Sequence, residues 1–303
     1  MDIAMAQAAE SRVFYRPRGP DTPGAQLFYI DGIVLMNALQ NVAVMAARRG
    51  GAILIRNLNK LDKLKVEKKG HNDFVSDVDR AAEAAVIEVI KNHYPDHAIL
   101  AEESGQQGES DTVWIIDPLD GTTNYLHGFP QFCVSVGVQI NGRMEAGAVY
   151  DPMRQEIFAA ARGEGATLDD RKIRVSGRKE MDYALIGTGF PFRQKDMNMG
   201  PYLEMLGKVV RNTAGVRRPG AAALDLCYVA AGRLDAFWEI GLKPWDLAAG
   251  SLIIREAGGI VSGLDGSEKY RDSGHILCGT PKIYAGLAKL CANDIKAILN
   301  AAP

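Results

Sequence analysis

The chain has 303 residues, with 35 Lys and Arg against 37 Asp and Glu, giving a formal charge of −2. At 47% hydrophobic and 24% charged residues it has the balance of a globular protein, which excludes a disordered chain, a collagen-like repeat or a disulfide-stapled miniature. Near-neutrality provides no global attraction to nucleic acid or to a membrane surface.

Residues 1–35 carry no periodic pattern. Arg16-Pro17-Arg18-Gly19-Pro20 and Thr22-Pro23-Gly24 break any regular element, so this stretch reads as a disordered leader or extension, with the folded chain starting near Met36. The best membrane candidate, Leu27 to Leu35, is interrupted by Asp31 and Gly32 and has no basic segment before it. It falls far short of the roughly 20 residues that a spanning helix needs.

Leu39, Val42, Ala43, Ala46 and Ala47 then recur at helical spacing. Lys60, Lys63, Lys65, Lys68 and Lys69 read as a solvated face. Ala82, Ala85, Val86, Val89 and Ile90 mark one side of a helix over about 77–93. After Pro95, Ala98 to Leu100 and Val113 to Ile116 read as buried strands, and 133–140, 146–150 and 156–161 as further strands. Asn141-Gly142 between two apolar runs is a hairpin signal. The later pattern predicts a strand over 184–187, a helix over 201–211 and a small-residue helix over 220–231. A strand over 234–239 and a helix over 246–257, stopped by Gly258-Gly259, come next. A strand, a turn and a C-terminal helix complete the chain. Helical pairs between sheet segments imply a layered α+β fold. Cys133, Cys227, Cys278 and Cys291 lie in apolar stretches without CxxC spacing, as buried thiols of a reducing, cytoplasmic compartment would.

Chemistry concentrates in Trp114-Ile-Ile-Asp-Pro-Leu-Asp-Gly-Thr-Thr-Asn124. A buried strand delivers Asp117 to its end, Pro118 is expected to stop the pairing, and Asp120-Gly121 makes a sharp turn. Two carboxylates three residues apart then converge, and Gly121, Thr122 and Thr123 present successive N–H groups suited to an anion. Glu102 and Glu103 end another strand, and Asp246 precedes an apolar helix. Read alone, Asp246 is an N-cap and the two glutamates are loop acids. Combined in one pocket, two such charges about 4 Å apart repel by about 4 kcal/mol at an effective dielectric of 20, so either some of the acids hold protons or a divalent metal is bound. Oxygen-only ligands with no His or Cys cluster favour Mg²⁺. The spacing of Asp117 and Asp120 opposes an aspartyl-nucleophile phosphatase motif, which needs aspartates two apart.

Asp117-Pro-Leu-Asp-Gly-Thr-Thr-Asn124 and Trp245-Asp-Leu-Ala-Ala-Gly250 with Glu256-Ala-Gly-Gly259 resemble the two signature motifs of inositol monophosphatases. Asn72-Asp73-Phe-Val-Ser-Asp-Val-Asp79 and Glu102-Glu103-Ser104 match two upstream motifs. The resemblance covers about 36–303. It is nearest to the bacterial SuhB-type branch through Tyr150-Asp-Pro-Met-Arg154, Gly189-Phe-Pro-Phe192 and Leu224-Asp-Leu226 to Gly232-Arg233. It implies an α/β/α/β/α sandwich forming a single phosphatase domain over 36–303, with halves at about 36–180 and 181–303.

The resemblance further implies a lithium-sensitive, Mg²⁺-dependent phosphomonoesterase. Its substrate would be inositol 1-phosphate or a similar polyol monophosphate, hydrolysed by metal-activated water attack. Glu102, Asp117 and the Leu119 carbonyl would hold one ion. Asp117, Asp120 and Asp246 would hold a second, and Glu102 would share a weaker third. Thr122, hydrogen-bonded to Asp79, and Glu102 would orient the water. Gly121 and Thr122 would bind phosphate. Glu239, Arg217, Gly220, Ala221 and Ala222 would meet the rest of the substrate, beside Leu119, Asp120 and Asp246, with Lys68 as a loop contact. Ala221 stands where relatives often carry a hydroxyl, and Ser76 replaces a common Thr. A homodimer is implied. Alternatives are a same-fold phosphatase for fructose bisphosphate, adenosine bisphosphate or histidinol phosphate, and a transcription antitermination and ribosomal RNA maturation factor binding RNA polymerase and Nus factors, for which Arg218 could offer basic surface.

Overall fold

A computed structural model describes residues 29–30, 33–34, 38–63, 66–70, 73–191 and 197–301. In chain order the elements are β1 (Tyr29–Ile30), β2 (Ile33–Val34), α1 (Ala38–Asn57), a 3-10 segment (Leu58–Lys63), β3 (Val66–Gly70), β4 (Asp73–Ser76) and α2 (Asp77–His93). Then come β5 (Ala98–Ala101), β6 (Gly105–Gln107), β7 (Thr112–Asp120), α3 (Thr122–Leu126), β8 (Cys133–Ile140), β9 (Arg143–Asp151), β10 (Glu156–Ala161), β11 (Gly165–Leu168) and β12 (Arg171–Lys172). A 3-10 turn (Met181–Tyr183) leads to β13 (Leu185–Thr188), α4 (Met199–Arg211), β14 (Gly215–Arg217), α5 (Ala222–Ala230), β15 (Ala236–Glu239) and α6 (Pro244–Glu256). The chain closes with β16 (Ile260–Ser262), α7 (Tyr270–Ser273), β17 (Ile276–Gly279), α8 (Pro281–Leu290) and α9 (Ala292–Ala301).

An eight-stranded sheet has the order β12-β11-β10-β9-β8-β7-β5-β6, and a five-stranded sheet the order β14-β13-β15-β17-β16. Only β5–β7 is parallel in the first, and only β14–β13–β15 in the second. Three cores lie between these layers. The stripe Leu39, Val42, Ala46 and Leu54 of α1 packs with Val78, Ala82, Val86 and Ile90 of α2 on Trp114, Ile116, Val134 and Val136. On the other face of this sheet, Ile115, Cys133 and Val149 meet Leu224, Leu226 and Cys227 of α5 and Leu247, Ala248 and Leu252 of α6, which also cover Phe237 and Cys278 of the second sheet. The outer face of the second sheet carries α4, α8 and α9 through Tyr202, Met205, Leu287 and Ile295. The result is an α/β/α/β/α stack. Both faces of β7 and β8 are covered, which is why these strands read as continuous apolar runs.

Of residues 1–35, only the β1–β2 pair is described; the rest of the expected leader lies outside the described residues. The helix expected over 77–93 is observed at those bounds, started by Ser76, whose Oγ accepts from the Val78 N–H at 3.2 Å while Asp79 Oδ2 accepts from the Ser76 N–H at 2.9 Å. The expected C-terminal strand, turn and helix are two strands, a short helix and two longer helices. All four cysteines are buried thiols. Among the described residues, no helix is long and apolar enough to cross a membrane.

Candidate active site

The site begins at the C-terminal ends of two parallel strands. Ala101 of β5 lies beside Ile116 of β7, so Glu102, just past the end of β5, and Asp117, still within β7, are neighbours, and the Glu102 N–H donates to the Ile116 carbonyl at 3.1 Å. Side chains alternate along a strand. Trp114 and Ile116 face α1 and α2, so Ile115, and with it Asp117, faces the α5–α6 layer.

Asp120 is three residues further on, an odd step that would send it to the opposite face of a regular strand. The register shows otherwise. Asp117 pairs with Ser135 and Asp120 with Cys133, so Pro118 and Leu119 oppose the single residue Val134. This β-bulge turns both carboxylates to one face. Pro118, expected to end the strand, sits inside the bulge, where its lack of an N–H breaks no ladder. The Leu119 N–H donates instead to Asp117 Oδ1 at 3.0 Å. Gly121 follows with φ 91°, and a Cβ there would stand 2.9 Å from the Gln131 carbonyl oxygen, so only glycine fits the turn into α3.

The third carboxylate arrives on α6. Pro244 opens the helix with its φ already suited to that position. Asp246 is the third helical residue rather than the N-cap, and its Oδ2 accepts from the Lys243 N–H at 2.7 Å. Ser135 Oγ donates to the Trp245 carbonyl at 3.3 Å and ties the helix start to β8. Gly137 of β8 permits the close approach, since a Cβ there would lie 2.9 Å from the Ala248 Cβ.

Asp117, Asp120 and Asp246 consequently offer carboxylate oxygens that all lie within 4.8 Å of one another, and all three residues are buried. Burial, and then the charges of Glu102, Asp120 and Asp246, hold the Asp117 carboxyl well above the ordinary carboxylate range. Asp120 is pushed up to about 7, first by burial and then by Asp246, against the lowering effect of the Ala223 N–H. That N–H donates to Asp120 Oδ2 at 2.7 Å and the Cys133 thiol does so at 3.6 Å. The N-cap position of α5 is Ala221, which has no capping side chain. Asp120 thus caps α5 from the facing sheet, where the helix dipole favours its charge.

A cavity of about 350 Å³ opens on this cluster. Among the described residues, its lining holds five carboxylates (Glu102, Asp117, Asp120, Glu239 and Asp246) and one guanidinium, that of Arg218. Leu119, Gly121, Thr122, Gly220 and Ala222 line it too. Glu102 shares the cavity but lies outside the tight triad. Oxygen donors of like charge at this spacing fit a hard divalent cation such as Mg²⁺, which neutralises them without needing nitrogen or sulfur.

The remaining expected residues are placed differently. Asp79 lies behind Thr122, whose Oγ1 is 3.3 Å from Asp79 Oδ1 and 3.0 Å from the Leu119 carbonyl. Ala221 is fully buried, outside the lining. Arg217 is exposed at the end of β14, its guanidinium donating to the Val216 carbonyl at 3.1 Å. Its neighbour Arg218 lines the cavity instead, with its guanidinium carbon 5.6 Å from the centre of the Phe190 ring. Arg217 is the last residue of β14 and Arg218 the first beyond it, and only the second is among the residues that line the cavity. Lys68 lies on β3, and the contact expected of its side chain lies outside the described residues. Phe190 and Asn124 are additional wall residues. The Asn124 amide donates to the Gln131 carbonyl at 2.7 Å and the Pro219 carbonyl at 2.9 Å, joining α3 to the loop before α5.

Residues 35–296 match the model of the inositol monophosphatase family. The Nus factor SuhB of Pseudomonas aeruginosa is 50% identical over 257 residues, covering 83% of this chain and 95% of that protein. The crystal structure of the extragenic suppressor protein SuhB from Bartonella henselae superposes with a TM-score of 0.81 at 42% identity, covering 84% of this chain and 98% of that one. An inositol monophosphatase from Anabaena gives a TM-score of 0.75 at 39% identity, covering 84% and 95%.

Proposed function

The chain belongs to the inositol monophosphatase family, and from that membership and the acidic cavity we propose that it is a Mg²⁺-dependent phosphatase hydrolysing inositol 1-phosphate or a related polyol monophosphate. The observation that carries this reading is the bulge at Pro118-Leu119, which brings Asp117 and Asp120 to one face beside Asp246. Glu102, Asp117, the Leu119 carbonyl, Asp120 and Asp246 would hold the Mg²⁺ ions. Bound there, the metal supplies Lewis acidity and neutralises both the carboxylates and the substrate phosphate.

The chain's own groups do the positioning. The Thr122 hydroxyl has one proton, taken by the Leu119 carbonyl or Asp79. Its lone pairs are then turned to accept a hydrogen bond from a water molecule. Glu102 accepts the second proton of that water and leaves an oxygen lone pair directed at phosphorus. The Gly121 and Thr122 N–H groups meet the phosphate oxygens. Attack in line forms the new P–O bond as the ester P–O bond breaks; the one proton that Glu102 takes from the water passes through solvent to the departing oxygen, so the polyol leaves as an alcohol and the other proton stays on the phosphate. Glu239 accepts from polyol hydroxyls, and Arg218, in place of Arg217, closes the wall with Gly220 and Ala222.

Phosphate release from a panel of inositol 1-phosphate, fructose bisphosphate, adenosine bisphosphate and histidinol phosphate, with and without Mg²⁺, tests the reading. Fastest turnover of the inositol ester is expected. Absence of Mg²⁺-dependent release from every member rejects it.

A second role is favoured by the relatives named as Nus factors: association with RNA polymerase, independent of hydrolysis. Co-purification of polymerase with both the native chain and Asp117→Asn would establish it, and capture by neither would reject it. Operation as a cytoplasmic homodimer of one phosphatase domain belongs to the same proposal.

A further inference from the structure

Glu83 sits on α2, one helical turn after Asp79, and is only 3% exposed. Residues four apart share a helix face. Its two carboxylate oxygens have separate tasks. Oε2 accepts from the Glu103 N–H at 2.8 Å and Oε1 from the Ser104 N–H at 2.9 Å. Residues 102–104 form the turn between β5 and β6, where Ala101 pairs with Gly105. The Glu103 N–H belongs to the peptide unit that carries the Glu102 carbonyl, so its bond to Glu83 fixes the backbone rotation at Glu102. The Glu102 N–H on the other side is tied to the Ile116 carbonyl. Glu102 is therefore clamped through both of its peptide units.

A buried carboxylate carries a desolvation cost that two charge-assisted bonds from backbone N–H groups offset. A neutral side chain of equal length would fill the same space without that cost, but an amide has one acceptor oxygen and an NH₂ group that cannot accept. The two parallel N–H groups of the turn call for a two-oxygen acceptor. The same face of α2 presents Asp79 to Thr122 at 3.3 Å. One helix thus holds both the Glu102 turn and the start of α3, and it sets the distance between them.

We propose that Glu83 is a positioning residue that presets the Glu102 turn for divalent metal, and that α2 braces the two sides of the site through Asp79 and Glu83. The inference rests on the reading of the cavity as a metal-dependent phosphatase site. Glu83 is expected to touch neither substrate nor metal.

The test is Mn²⁺ binding to the full-length chain without substrate, by calorimetry or electron paramagnetic resonance, for the native chain, Glu83→Gln, Glu83→Ala and the exposed control Glu88→Gln. Glu83→Gln should weaken Mn²⁺ by roughly 10- to 100-fold, the range for groups that orient metal ligands. It should also raise amide exchange at 103 and 104 and shift the half-saturating Mg²⁺ for phosphate release upward, with kcat largely restored at saturating Mg²⁺. Should Glu83→Ala fail to fold, Glu83→Gln decides alone. A lowered melting temperature with native Mn²⁺ affinity and native half-saturating Mg²⁺ would make Glu83 structural and overturn the inference while leaving the phosphatase reading intact. A native chain that binds no Mn²⁺ and releases no phosphate would overturn both.

Discussion

The two sheets contribute to the cavity in different ways. The eight-stranded sheet supplies Glu102, Asp117 and Asp120 from adjoining strands, with Thr122 two residues past the end of β7. These positions follow from register, so they are rigid to the extent that the sheet is. The five-stranded sheet supplies the opposite wall: Glu239 at the end of β15, Arg218 just beyond β14 and Phe190 shortly after β13. These lie at or past strand ends, and the Arg218 guanidinium lies over the Phe190 ring. Asp246 rides on α6 between the sheets and closes the cluster only when the layers are stacked. Under the proposed function, this contrast would give chemistry to the first sheet and substrate choice to the second, with the interlayer helix making one depend on the other.

The sharpest way to break this division is Asp117→Asn. It removes the carboxylate common to both proposed ion sites, and turnover should fall by at least about 10³-fold. Thermal stability of the metal-free chain should be held or raised, most of all at high pH, because the amide removes a buried carboxyl whose ionisation the neighbouring acids oppose. Near-native phosphate release from the folded variant would take Asp117 out of the site. A smaller loss of about 10²-fold in kcat is expected for Thr122→Ala, with Thr122→Ser retaining most activity because the hydroxyl does the orienting. Steady-state kinetics of both variants check it, and equal loss in the two would implicate packing instead.

On the five-stranded side, Arg218→Ala should raise KM by about tenfold, the equivalent of about 1.4 kcal/mol, and leave kcat within a few-fold. Arg217→Ala should change neither. A collapse of kcat in the Arg218 variant would erase the proposed division between the sheets.

The smallest effect is one of stability. Asp117 and Asp120 keep their protons in the folded chain to higher pH than an ordinary carboxylate, Asp120 to about 7. The unfolded chain has released those protons by then, so the metal-free fold binds more protons and loses stability as pH rises from the usual carboxylate range to about 7. Under the proposed function, Mg²⁺ would bind the deprotonated form. The rise in melting temperature on adding Mg²⁺ should therefore be larger at pH 8 than at pH 5 by a few degrees, about 2–4 °C per kcal/mol for a chain near this size. Equal shifts at the two pH values would separate the metal from these carboxylates.

The elements that could be read directly were those long enough to show a period. The stripe of α2, the runs of β7 and β8 and the hairpin at Asn141-Gly142 are observed where the pattern places them. Strands of two to five residues such as β3, β6, β12 and β14 are too short to display alternation, and their pairing depends on neighbours distant in the chain. Glu83 did leave a trace: it interrupts the buried stripe Val78, Ala82, Val86 and Ile90 with an acid. Periodicity alone cannot say which turn such an acid will hold.

Residue identity and order were enough to pick out Glu102, Asp117, Asp120 and Asp246 as carboxylates bound for one place, because charge and motif spacing are local properties of the chain. Three things required the folded layers: the bulge that puts Asp117 and Asp120 on one face, the position of Asp246 within the first turn of α6, and the choice of Arg218 over Arg217. Each turns on which way a side chain faces. A single-residue shift of register reverses that direction, and register is set only when strands and helices pack against one another.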